Sequence, residues 1–149
     1  VETGGACKNI ISIACGILDG LGGGDNSRGA LFTRGLAEIS RLGVAMGAKA
    51  LTFAGLSGLG DLVTTCVSRH SRNRSFGEKI GKGLSFEGAM AEMTMVVEGV
   101  KATRAAYKLM SECRIEMPIT VQIYEILFSS KDPQSALLDL MTRDLKSEF

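Results

Sequence analysis

Two polar clusters in this chain have residue types and spacings suited to chemistry. The run Gly58-Leu59-Gly60-Asp61-Leu62-Val63-Thr64-Thr65-Cys66 frames an acid with glycines, and Ser71-Arg72-Asn73-Arg74 follows a few residues later. Neither offers the apolar volume that a core requires. A third spot, Gly4-Gly5-Ala6-Cys7-Lys8-Asn9, sets a lysine at the head of a stretch that stays almost wholly apolar through Leu18. An arginine fork grips phosphate oxygens at two points, and neighbouring Ser and Asn add hydrogen bonds. The three islands together suggest one pocket that handles a small anion.

Helices must position these groups. Only Pro118 and Pro133 interrupt a sequence rich in Ala, Leu, Met, Glu and Lys, residues that lose little on entering a helix, and strand alternation is nowhere sustained. The expected fold is all-α. The first helix is expected from about Ala6 to Asp19, where Lys8, Ser12, Cys15 and Asp19 fall at i, i+4, i+7 and i+11 on one narrow polar stripe. The other faces are apolar, so the helix should be buried with its stripe facing water or an internal polar cavity. Asp25-Asn26-Ser27 offers an N-cap for a helix carrying Ala30, Leu31, Leu36, Ile39 and Leu42, with Gly47 as its stop. Gly58 and Gly60 would let the backbone turn sharply before Asp61, which can cap the helix through Leu62, Val63 and Cys66, serve a site, or do both. Ser85 caps a short helix, and Glu98 opens another through Val100, Ala105, Leu109 and Met110. Pro118 starts one ending near Phe128, and Asp132-Pro133 caps a last helix from Gln134 to about Met141.

Length and charge bound what the chain can be. Its 149 residues fit one domain, and a net charge of +1 gives no electrostatic case for nucleic acid as partner. The Ala6–Leu18 stretch is too short for a membrane span, so a soluble, cytoplasmic protein is expected. Cys7, Cys15, Cys66 and Cys113 show no Cys-x-x-Cys pairing and have only His70 for company, so no metal site is expected and the thiols read as small hydrophobes. The chain opens on Val-Glu-Thr and reads as a piece of something longer. The run Gly20-Leu21-Gly22-Gly23-Gly24-Asp25 follows a helix rather than a strand, so it reads as a helix-to-helix connection and not a dinucleotide loop. The basic residues Arg69, His70, Arg72, Arg74, Lys79 and Lys82 form a local patch whose alternative is a solvated basic turn. Thr65, one turn past Asp61, reads as a helix-face threonine.

Four blocks carry a family resemblance: Gly4 to Asn9; Gly22 to Asn26 before Arg34-Gly35-Leu36-Ala37-Glu38; Gly55 to Asp61 with Ser71-Arg72-Asn73; and Val96-Val97-Glu98-Gly99. In order and spacing over essentially the whole chain, the sequence resembles the C-terminal domain of bacterial-type NAD(P)-dependent glycerol-3-phosphate dehydrogenases. The resemblance implies a multi-helical substrate domain, similar to the 6-phosphogluconate dehydrogenase C-terminal-like fold, over residues 1–149, packed against an N-terminal Rossmann cofactor domain that lies outside this chain. It implies interconversion of dihydroxyacetone phosphate and sn-glycerol 3-phosphate with NAD or NADP, feeding phospholipid synthesis, and a homodimer. By the same resemblance Lys8 is the catalytic proton donor and acceptor. Lys8, Asn9, Asp61, Ser71, Arg72 and Asn73 bind the substrate, and Arg72, Val96 and Glu98 touch the cofactor. Asp61 would chiefly orient Lys8 or a substrate hydroxyl. The rival readings are a related Rossmann-plus-helical dehydrogenase for another small oxo substrate, and a noncatalytic helical module that binds an anion or partner. Against the second stands a lysine placed on the narrow stripe of an apolar helix.

Overall fold

The computed structural model describes residues 2–47, 56–68 and 70–142, so the expectations on Gly55 and Arg69 fall outside it. The described residues form eight helices and no strand: α1 (Glu2–Gly20), α2 (Asp25–Ala45), α3 (Leu56–Val67), α4 (Arg72–Gly81), α5 (Phe86–Ala91), α6 (Glu98–Cys113), α7 (Pro118–Phe128) and α8 (Pro133–Thr142). No helix among them is long and apolar enough to cross a membrane.

The chain wraps around α1. Ile10, Ile11, Ile13 and Cys15 are fully buried, and helices α2, α3, α4, α6 and α7 all pack against it. A helix apolar on nearly every side is stable only when surrounded. The α4 crossing is the tightest. A Cβ on Gly16 would stand 2.0 Å from the Arg74 carbonyl oxygen, and one on Gly77 2.1 Å from that of Ile13. Only hydrogen side chains let the two backbones touch here, and this contact ties the helix of Lys8 to the helix of Arg72.

Several helix boundaries follow the local signals. The Ser85 hydroxyl accepts from the Gly88 N–H at 3.0 Å, Pro118 occupies the first turn of α7, and Asp132 accepts from the Ser135 N–H at 3.1 Å. Gly47, at φ +98°, stands just past the end of α2. The glycine run after α1 does connect two helices, with Gly22 at φ +83°.

Other boundaries differ. α1 starts at Glu2, a full turn before Ala6. The N-cap of α2 is Gly24, whose extended backbone already turns the chain, so Asp25 lies in the first turn and no side chain caps this end. Helix α3 begins at Leu56 and runs straight through Gly58 and Gly60, so Asp61 is neither an N-cap nor behind a sharp turn. Glycine lowers helix propensity by only about 1 kcal/mol, which packing against α1 overrides.

A buried carboxylate braces the far side. Glu38 accepts from the backbone N–H groups of Ile119 and Thr120 and from the Thr120 hydroxyl, taking up the donors that the start of α7 leaves free. Burial pushes its pKa up to about 7 against these hydrogen bonds.

Candidate functional site

The polar stripe of α1 is the seam along which three site-bearing helices meet. At its open end Lys8 Nζ donates to Asp61 Oδ2 of α3 at 3.1 Å, with Lys8 about a quarter exposed. One turn deeper, the fully buried Ser12 hydroxyl lies 3.0 Å from Ser71 Oγ and donates to the Thr65 carbonyl at 3.3 Å. Next comes Cys15, whose hydrogen bond with Cys66 and burial both raise its thiol pKa, so it stays a neutral packing group. Asp19 closes the seam, taking Arg28 on one oxygen and Arg74 on the other, the latter at 2.7 Å. The stripe therefore faces the protein interior, and its ends are ion pairs.

Ser71 is the N-cap of α4; its Oγ accepts from the Arg74 N–H at 3.2 Å. The first backbone N–H groups of such a helix, at Arg72 and Asn73, have no acceptor within it and favour an anion. The two arginines of the cluster part company. Arg74 turns inward to Asp19, while Arg72 is exposed and donates to the Met95 sulfur at 3.3 Å, a far weaker acceptor than an anionic oxygen. Among the described residues of the basic patch, Arg72 is the available guanidinium, and it stands beside a helix N-terminus. Asn73 is buried, and its Oδ1 accepts from the Gly99 N–H of α6 at 2.8 Å.

A cleft of about 410 Å³ opens above these groups. It gathers Asn9, Ser71, Arg72, Asn73, Val96 and Glu98, six of the sequence-selected residues from three helices and the strand of chain leading into α6. Lys8 and Asp61 do not line it; they stand beside it, paired across the seam, Lys8 preceding Asn9 on α1 and Asp61 one turn before Thr65 on α3. Val96 is 64 % exposed, and Glu98 is exposed at the first position of α6.

Residues 1–138 match the family model described as the NAD-dependent glycerol-3-phosphate dehydrogenase C-terminus. The chain belongs to this family. It is 60 % identical over all 149 residues to a glycerol-3-phosphate dehydrogenase (NAD(P)+) of Thermoanaerobacter sp. strain X514. It is 56 % identical over the same length to the enzyme of that name from Chlorobium phaeobacteroides. The chain spans about 45 % of the length of both relatives. The crystal structure of glycerol-3-phosphate dehydrogenase from Coxiella burnetii superposes with a TM-score of 0.91 at 45 % identity, covering 95 % of this chain and 44 % of that one. The Plasmodium falciparum enzyme gives 0.83 at 25 % identity, over 98 % and 43 %.

Part of the cleft wall was passed over in the sequence. Thr64 and Ser68 line it, and Thr65, read as a plain helix-face residue, lines it too while its hydroxyl donates back to the Asp61 carbonyl at 2.8 Å. Asp61, Thr64, Thr65 and Ser68 sit at i, i+3, i+4 and i+7, so the periodicity test that picked out α1 would have found this face of α3 as well. His70 is exposed on the same wall.

Proposed function

We propose that this chain is the substrate-binding and catalytic domain of an NAD(P)-dependent glycerol-3-phosphate dehydrogenase, interconverting dihydroxyacetone phosphate and sn-glycerol 3-phosphate. A Rossmann domain on its N-terminal side would carry most of the cofactor. The observation that carries this reading is the cleft: Arg72 lines it at the N-terminus of α4, Asn9 and Thr65 line it on α1 and α3, and the Lys8–Asp61 pair of those two helices stands beside it.

Arg72 and the N-terminal amides of α4 hold the phosphate, since a fork and aligned N–H donors match its oxygens in charge and direction. Asn9 and the amide nitrogen of Asn73 add polar contacts; the Asn73 oxygen is already taken. Ser71 chiefly shapes this end, because its hydroxyl is shared between Arg74 and Ser12. The residues at the opposite edge suit a nicotinamide: Val96 offers an exposed apolar surface to a ring, and Glu98 offers an acceptor to a carboxamide. NAD(P)H, when bound, supplies hydride to the carbonyl carbon. Lys8 holds the proton for the carbonyl oxygen, where negative charge develops, and returns to its protonated state from solvent. Asp61 keeps the ammonium in place until substrate draws it toward the cleft. In the reverse direction the amine of Lys8 takes the hydroxyl proton.

The test is oxidation of NADH or NADPH by the parent full-length enzyme with dihydroxyacetone phosphate, comparing wild type with Lys8→Ala at equal folded concentration. Wild-type turnover falling by about 10²–10⁴-fold in the variant is the expected result. No wild-type turnover removes the substrate assignment, and full turnover in the variant removes Lys8 from the chemistry.

A further inference from the structure

The two ends of the cleft are joined at one buried point, where the start of α6 meets both α1 and α4. The Gly99 N–H donates to Asn73 Oδ1 at 2.8 Å, and the Thr103 hydroxyl donates to the Gly99 carbonyl at 2.6 Å. Thr103 is fully buried and Asn73 nearly so. The residue preceding α6, Val97, provides no side-chain cap, so an asparagine from another helix takes its place. Gly99 is needed for the approach: a Cβ there would lie 2.5 Å from Ile13 Cδ1, 2.7 Å from Asn73 Oδ1 and 3.0 Å from the Asn9 carbonyl oxygen. One glycine thus touches the neighbour of Lys8 on α1 and the neighbour of Arg72 on α4. Glu98 adjoins it in the chain, and Val96 lies just beyond.

We infer that the Gly99–Asn73 hydrogen bond is a joint that sets the Val96–Glu98 edge of the cleft against its Arg72 end, making Gly99 and the Asn73 oxygen positioning groups for the nicotinamide cofactor. This rests on the functional reading above. An asparagine that only bound phosphate would have no bearing on the cofactor in the absence of substrate. An asparagine that caps α6 holds the backbone from which Val96 and Glu98 project, so losing its oxygen loosens that edge whether or not substrate is present. A buried N–H left without its acceptor also drives α6 to shift until water or another oxygen satisfies it.

The test is titration of the full-length enzyme with NADH and, separately, NADPH, followed by nucleotide fluorescence without substrate. Asn73→Ala is expected to weaken the better-bound nucleotide about tenfold. Asn73→Asp, which keeps the acceptor, should bind it within about twofold of wild type while raising KM for dihydroxyacetone phosphate through repulsion of the phosphate. Gly99→Ala should resemble Asn73→Ala. Thr103→Val removes a bond within α6 but leaves the joint, and so controls for general loosening; it should lower Tm with nucleotide affinity retained. Unchanged nucleotide affinity in Asn73→Ala, with only KM raised, overturns the joint and leaves the functional reading standing. Equal weakening in Thr103→Val at a matched loss of Tm also overturns it. A wild type that binds neither nucleotide overturns both.

Discussion

Glu38 makes the stability of this domain fall as pH rises toward neutrality. Its carboxyl is fully buried between α2 and the start of α7, and burial lifts its pKa from 4.5 to about 7, while the Ile119 and Thr120 donors and the charge of Arg41 pull the other way. An acid whose folded pKa is raised binds more protons folded than unfolded throughout the interval between the two values. Its contribution is therefore fully present below pH 4.5 and is lost as pH rises through about 7. At 1.36 kcal/mol per pKa unit, that interval corresponds to about 3 kcal/mol, of which about 2–3 kcal/mol falls between pH 5 and pH 8. Glu38→Gln keeps the shape and a carbonyl acceptor but cannot titrate. Urea unfolding at pH 5, 6, 7 and 8 should show the stability advantage of wild type over the variant shrinking by about 2–3 kcal/mol across the series. A difference that stays constant with pH would mean that the helix N–H donors hold Glu38 ionised in the folded state, and the argument from burial would be wrong.

Two further outcomes follow from the geometry. Gly77→Ala places a methyl 2.1 Å from the Ile13 carbonyl and must push α4 off α1, destabilising by about 1–3 kcal/mol, whereas Gly29→Ala meets nothing within 4 Å and should gain up to about 1 kcal/mol; chemical denaturation of the pair separates packing from propensity. Arg72→Lys keeps the charge but loses the fork, so KM for dihydroxyacetone phosphate should rise severalfold or more in steady-state assays, and an unchanged KM would take phosphate away from Arg72.

The helical class and many helix ends were legible because their causes are local. Ser85, Pro118 and Asp132 act on backbone groups within a few residues, so a short window of sequence contains the whole interaction. Where the cause was not local, the reading slipped. Gly58 and Gly60 look like a turn in isolation, yet the backbone runs through both as part of α3, a helix that packs on α1. The run Arg72-Asn73-Arg74 looks uniform, yet Asp19, far away in sequence, claims one arginine and leaves the other exposed.

The sequence by itself determined the all-α class seen in the described residues, that α1 is buried with one polar stripe, and which residues could handle an anion. Residue type and the 3.6-residue period are properties of the chain alone. Only the tertiary structure decided how those residues are used: that Lys8 pairs with Asp61, that Ser12 and Ser71 join hydroxyls, and that Asn73 spends its oxygen on Gly99. Those choices depend on how closely α3, α4 and α6 approach α1, and for α4 and α6 that approach needs Gly16, Gly77 and Gly99, whose role shows only when another backbone lies against them.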